Sequence, residues 1–515
     1  MKPRYAGALA LIVPVLVSAQ PTTAGTEHWV TYMENLDLQF NTPPYFQLVV
    51  SSETDTQGEI IVPATGFSIP FSVVAMHDTV ITLPENIYYP EGDEAFFDFG
   101  MKLVSDDPVS VYAYHNRLYF SEASMILPIE RLGTDYNVLA HEDDLYGHPS
   151  EFVVLATQDS TEVLITPSVV TVGFRPPGVP FTVLLSEGQV FQLKANGDLS
   201  GSRVLSTDID KPVAVFAGAQ QAAIHCDMGA DDHLYQQLEP LSAWGTTYDV
   251  VPFKFRGGDQ VRILGGTNGT TVDITGQASF TIDSAEVVDV TIAAPARITS
   301  SAPVSVGQFN DSQGCNPAVG DPCYLLCRPA DRVDQRAIWS ALTGSGTPEH
   351  FVNVVAIGEA VPPIVILDGV NVSGQLDPLI GAFEVYTAQF TIGEGMHDLY
   401  CPTGCLGSAY GFGDYNSYSF HLGYGATEVT TSISEPDRST SAMGISMVTG
   451  DALSARIFGL EAWSRLQILD ATGREVLNSA QGSRLALSIP PGQYAARAID
   501  RDGNALVKRV FVRKP

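Results

Sequence analysis

The chain has 515 residues, 45% of them hydrophobic and only 17% charged, with 46 Gly and 33 Pro. That length allows about three or four domains, and so turn-rich a composition suits short strands rather than long helices. A formal net charge of −31 argues against nucleic acid or an anionic membrane as partner.

Lys2 and Arg4 precede an apolar stretch over residues 5–17. The pattern predicts a signal peptide over 1–19, cut after Val17-Ser18-Ala19 to leave Gln20 first. No Cys follows the cut, which argues against a lipid anchor. No later stretch reaches the ~18 uninterrupted apolar residues of a membrane-spanning helix.

Two phrases then recur. Ser105-Asp106-Asp107-Pro108-Val109 returns around Pro212-Val213 and Pro303-Val304. Gly133-Thr134-Asp135-Tyr136 returns as Gly245-Thr246-Thr247-Tyr248, and Gly25-Thr26-Glu27-His28 opens the series. The glycines lie 108 and 112 residues apart, and Pro128, Pro240 and Pro329 each precede the next repeat start by five. Fixed-period self-similarity predicts a repeat architecture. Four repeats are expected near 25–120, 133–235, 245–328 and 334–425, together a body over 20–425.

Each repeat is predicted to be all-β, as an independent sandwich or a large blade packed on its neighbours. Runs such as Phe152 to Ala156 and Glu162 to Ile165 flank a short turn, as do Arg262 to Leu264 and Thr271 to Ile274, and read as hairpin pairs. Asn268-Gly269 supplies the positive φ that tight turns need. The repeated proline, lacking an N–H, is expected at the first residue of a strand.

Export would place Cys226, Cys315, Cys323, Cys327, Cys401 and Cys405 in an oxidising space. Cys401 with Cys405 and Cys315 with Cys323 are the local disulfide candidates. Cys323, Cys327, Cys401 and Cys405 could instead hold zinc, since both pairs are CxxxC. Two acidic loops are candidate divalent-cation sites: His141, Asp143, Asp144 and His148 in one, Asp231, Asp232 and His233, with Asp227, in the other. Solvated loops are the plainer reading of both, so no cofactor is expected beyond that cation. Tyr112 and Tyr114, near Tyr119 and Phe120, and then Tyr410, Phe412 and Tyr415, are candidate ligand-binding aromatics, because exposed rings stack on sugars and anchor protein interfaces. Packing between strands is the alternative.

Residues 426–444 read as a polar linker. Beyond it the charge changes sign: residues 451–515 hold ten Lys/Arg against six Asp/Glu, a balance of +4, leaving −35 on the rest. A small C-terminal β-sandwich is predicted over 445–515. Asp500-Arg501-Asp502-Gly503-Asn504 reads as a turn, since it lacks the Glu that closes an EF-hand.

Leu466 to Val476, Leu485-Ala486-Leu487, Ile489 to Tyr494 and the basic final segment Lys508 to Arg513 resemble the C-terminal sorting domain of the bacterial type IX secretion system. The resemblance implies export across the outer membrane of a member of the Bacteroidota or a relative, then release or attachment to the cell surface. Residues 25–425 resemble the IgG-Fc-binding protein N-terminal domain family. That resemblance rests on Gly25 to Trp29, Ser105 to Val111, Leu132 to Tyr136, Asp232 to Leu238, Trp244 to Tyr248, Asp321-Pro322 and His397 to Cys401. It implies an extracellular binding module and does not by itself imply antibody binding.

No Gly-x-Ser-x-Gly elbow, His-Glu-x-x-His, phosphate-binding loop or dinucleotide fingerprint occurs. The expectation is a non-catalytic adhesion protein, secreted or on the outer cell surface, recognising an extracellular glycoprotein, glycan or protein partner. The alternatives are a structural component of a surface matrix and a secreted hydrolase with a divergent site.

Overall fold

A computed structural model describes residues 23–423, apart from 36–41, 85–90, 144, 225–229, 316–317, 345, 359–361 and 383, and the backbone of seven strands between 444 and 512. The predicted signal peptide with Ala19 and Gln20, and all but the last residue of the predicted linker, lie outside the described residues. Among the described residues there is no α-helix, only strands and three short 3₁₀ turns. Among the described residues no helix is long and apolar enough to cross a membrane. The fold is all-β. The chain divides into two compact bodies, residues 1–427 and 428–515.

The first repeat sets the pattern. Its strands are β1 (Gly25–Val30), β2 (Tyr45–Ser52), β3 (Thr56–Val62), β4 (Phe67–Val73), β5 (His77–Thr82), β6 (Ala95–Phe97), β7 (Met101–Asn116) and β8 (Glu122–Ile126). The long β7 serves two sheets. Its first half pairs with β1 and β3, and its second half with β2 and β8. The short β6 crosses to the second repeat, pairing with Val190–Ala195.

The same order, with a strand equivalent to β7 at its centre, recurs in the later repeats. That strand is Ala296–Phe309 in the third and Gly395–Gly413 in the fourth. In the second it is split into Arg203–Ser206 and Val213–Ala222, one half in each sheet. The pairings among the described residues are antiparallel, and the shared strand order makes the four repeats copies of one two-sheet unit.

Two sequence expectations need correction. Pro108 and Pro303 do not begin strands. They lie inside continuous strands, at the point where the strand leaves one sheet for the other. Opposite them the partner is bulged, between Gly25 and Glu27 and between Gly245 and Thr247. A bulge and a residue without an N–H are how a strand bends without leaving a donor unpaired. The predicted hairpins are also not hairpins. Ser150–Ala156 and Thr161–Thr166 pair with other strands in separate sheets, so their turn arches across the sandwich. Thr161 and Thr270 are buried beside that turn and donate to the carbonyls of Gln158 and Thr267.

The two repeated phrases meet in space. Tyr136 Oη accepts from the Gly133 N–H at 2.9 Å and donates to the Val213 carbonyl at 2.8 Å. Tyr248 does the same between Gly245 and Val304, at 3.0 and 2.6 Å. Each tyrosine thus ties the start of its repeat to the residue after the proline.

The repeats pack closely. The closing strands Glu122–Ile126, Asp232–Gln237, Tyr324–Leu326 and Asn416–His421 are neighbours in a cycle, each touching the next and the last touching the first. Glu122, fully buried, accepts the N–H groups of Ala123, Tyr324 and Ser419, bridging three repeats. Gln236 donates to the carbonyls of Ala123 and Ser419. The first and fourth repeats share a core containing Tyr112, Tyr114, Met125, Trp339 and Phe420.

In the second body, one antiparallel sheet orders Gly444–Val448, Leu453–Phe458 and Leu485–Leu487. The other orders Glu475–Ala480, Trp463–Asp470, Gly492–Asp500 and Ala505–Val512.

Candidate binding cleft where four loops meet

Because the closing strands form one cycle, the loops that lead into them arrive at one end of the body. There they enclose a cleft of ≈ 570 Å³. The first repeat contributes Tyr119 and Phe120, the second Ala230 and Asp231, the third Asp321, and the fourth Asp414 and Tyr415. Tyr146 and His148 from an earlier loop, with Gln221, complete the lining.

Hydrogen bonds lock these loops together. Gln313 is the main staple: its Oε1 accepts the N–H groups of Gly320 and Tyr415, and its Nε2 donates to Asp414. The Ser121 N–H donates to Asn416 Oδ1 at 3.0 Å, joining the first and fourth repeats. The Ile224 N–H donates to Ser312 Oγ, joining the second and third. Asp143 organises the remaining loop. It accepts the N–H groups of Leu145, Tyr146, His148 and Ala223, and so sets Tyr146 and His148 at the rim.

Four features distinguish the cleft chemically. Tyr146 and Tyr415 are 56% and 45% exposed, in a body whose other large tyrosines are mostly buried. Tyr119 and Tyr415 meet edge to face at 6.5 Å, and both hold positive φ, at 69° and 54°. A bulky residue there carries strain of about 1–3 kcal/mol, which persists where surroundings over-determine it and marks functional sites. The carboxyl of Asp321 is wholly buried in the wall. Its Oδ1 accepts the Gln313 N–H, and its Oδ2 has no hydrogen-bond partner. Burial raises the Asp321 pKa well above the usual carboxylate range, and Asp231 and Asp414 push it further. His148 Nε2 lies 3.3 Å from Asp231 Oδ2, and that bond raises the imidazole pKa.

The structure therefore joins one residue from each predicted metal loop, His148 and Asp231, with Tyr415 from the aromatic candidates. The rest separate. His141 is buried, its ring bonded to Gln260 and the Glu142 carbonyl. Asp143 is spent on backbone N–H groups. Asp232 and His233 are fully buried in a closing strand, where burial pushes the His233 pKa down to about 4. Asp144 and Asp227 lie outside the described residues. Among the described residues no three His, Cys, Asp or Glu side chains are placed to hold a metal ion.

Four aromatic candidates are corrected too. Tyr112, Tyr114, Tyr410 and Phe412 are at most 2% exposed. Tyr112 Oη bonds both the carbonyl and the N–H of Gly423, and Tyr114 Oη donates to the Ser340 carbonyl, closing the fourth repeat on the first. Tyr410 Oη accepts the Lys254 N–H and donates to Asn353. These rings serve packing between repeats.

Of the cysteines, Cys401 and Cys405 form the expected disulfide. Cys315 is disulfide-bonded, but Cys323 is a free, fully buried thiol just before the closing strand Tyr324–Leu326, so the two do not pair. Cys327 is also free, and with Cys401 and Cys405 oxidised no four-cysteine zinc site exists.

Asp321 entered the sequence reading only as part of a family phrase and not as a site residue, and Asp414, Tyr146 and Gln221 were not singled out at all. A signal was present for two of them: both aspartates sit in the loop just before a copy of the closing strand, as Asp231 does.

Comparison with known proteins gives one family. Residues 122–411 match the family described as IgGFc binding protein. The IgGFc-binding protein of Homo sapiens is 26% identical over 363 residues, covering 68% of this chain. This chain spans 6% of that protein's length. Among solved structures, latent PorU from Porphyromonas gingivalis aligns at 12% identity over 53% of this chain and 33% of that one, with a TM-score of 0.13. The E. coli alpha-2-macroglobulin aligns at 8% identity over 95% and 46%, with a TM-score of 0.13. Scores that low carry no argument about this chain.

Proposed function

The chain belongs to the IgGFc binding protein family, and from that premise we propose that it is a non-catalytic binding protein acting outside the cell. In this reading the four-repeat body, residues 20–425, recognises an extracellular glycoprotein, glycan or protein partner, at the cleft where the four loops meet. Residues 1–19 direct export, and 426–444 link the body to a type IX sorting domain over 445–515, which delivers it to the medium or the outer cell surface.

One observation carries the assignment of the cleft. Loops from all four repeats are bonded to one another around exposed tyrosines and a buried carboxyl with an unmet acceptor. Packing alone gives no reason to leave rings exposed and an acceptor unpaired at a point so heavily braced. Immunoglobulin is one candidate partner through the family's name, and mucin-like glycoproteins are another.

The test is to screen the full chain and its Tyr415→Ala variant against immobilised mucin glycoproteins, a glycan array and immunoglobulin G. Saturable binding that the variant loses supports the reading. Binding unchanged in the variant removes the cleft from it. Self-association without any ligand favours a structural component of a surface matrix.

A further inference from the structure

We infer that the cleft receives a cationic side chain, arginine or lysine, presented by an extracellular protein partner. This rests on the reading of the cleft as the binding site and names the chemistry that would fill it.

The wall carries three carboxyl groups, Asp231, Asp321 and Asp414. Among the described residues, the one basic side chain in the lining is His148, which is already paired with Asp231. Arg256 also acts on Asp321, but its guanidinium is bonded to the carbonyls of Ala318 and Val319 and stacks 4.0 Å from the Phe412 ring. Asp321 is fully buried, and its Oδ2 lacks a partner. A buried carboxyl with an unmet acceptor is satisfied by a ligand donor, and most strongly by a charged one.

The aromatic rings point to the same chemistry. Tyr119, Tyr146 and Tyr415 line the cleft beside those acids. Ring faces carry negative potential and attract guanidinium or ammonium groups, most strongly where water is displaced. A neutral sugar could stack on the same rings, but it would bring no charge to the exposed Asp414 carboxylate or to the field that disfavours ionisation of Asp321. An anionic sugar would add to it. The net charge of −31 would also speed the approach of a basic segment.

The test titrates the full chain with a short Gly/Ser peptide carrying one central arginine, alongside the same peptide with lysine, citrulline or glutamate. Citrulline keeps the shape of arginine and removes its charge. The expected result is saturable binding of the arginine or lysine peptide, at least about tenfold weaker for citrulline and weakened by added salt. Asp414→Asn and Tyr415→Ala, both at the exposed rim, should each weaken the arginine peptide by about fivefold or more. Citrulline binding as tightly as arginine, or no binding of either cationic peptide, overturns the inference. If that happens while Tyr415→Ala still abolishes retention on mucin or immunoglobulin, the cleft stands and only its occupant is wrong. If Tyr415→Ala is retained like the parent protein, the cleft itself is wrong.

Discussion

Gly133 lies against Pro240: a Cβ on the glycine would sit 2.6 Å from the proline Cβ. The same contact recurs between Gly25 and Pro128, at 2.4 Å, and between Gly245 and Pro329, at 2.5 Å. Each pair joins the first strand of a repeat to the segment that leaves it. The two features that exposed the repeat in the sequence are therefore partners in one contact, which explains why they recur together.

Gly133→Ala should destabilise the body by about 1–3 kcal/mol, because the rigid proline ring it meets cannot yield freely. Gly269→Ala is the control, since nothing lies within 4 Å of a Cβ there and only its φ of 71° opposes the change. Its cost should be about 1 kcal/mol. Urea unfolding of both variants decides the matter, and equal losses would refute the contact.

Tyr136→Phe and Tyr248→Phe each remove a hydroxyl that accepts one bond and donates another across the sandwich. Each leaves a buried carbonyl unpaired and should lower stability by about 1–3 kcal/mol. The two sites lie in different repeats, so their effects should add within about 0.5 kcal/mol. A double variant no worse than either single one would show that the two tyrosines act as one unit.

Stability should depend on Asp259. Burial pushes its carboxyl up to about 8 from 3.8, with Asp311 adding to the shift. The phrase-bearing body binds that proton in the folded state, so its contribution is full below 3.8 and is lost as pH rises through about 8. Asp259→Asn keeps an acceptor for the Phe253 N–H and the Gln308 amide, which now bond Oδ2 at 2.7 and 2.6 Å. The variant should melt at least about 2 °C above the parent near pH 8, with the gap closing toward pH 5. A gap that widens toward acid would contradict the assignment.

The free thiols should be silent in the native protein. Cys323 is fully buried, and burial raises the pKa of both Cys323 and Cys327. Reactivity follows the thiolate. Alkylation with iodoacetamide should label neither residue natively and both after denaturation, read by peptide mass spectrometry. Native labelling of Cys323 would mean that the central cycle of strands opens in solution.

Much of this was legible in sequence, for a physical reason. Gly133, Tyr136 and Pro212-Val213 recur because each occupies a position that a glycine, a tyrosine hydroxyl or a bend can fill. The arch at Asn268-Gly269 was misread as a hairpin because turn residues report a reversal and not which sheet follows. The cleft was legible only in part. His148, Asp231 and Tyr415 stood out by type, whereas Asp321 gains its character from burial and from loops of other repeats. Tyr112 and Tyr410 have the same residue type as Tyr415, and only the packing of repeat on repeat separates buried rings from an exposed one.

The central claim is that the meeting point of the four loops is the binding face. Hydrogen–deuterium exchange of the full chain, with and without the strongest binder from the mucin, glycan and immunoglobulin screen, tests it most directly. Protection is predicted over residues 117–121, 145–148, 310–315 and 414–416. Protection confined to the outer edge strands Phe67–Val73 and Phe181–Leu185, with those loops unchanged, would contradict it.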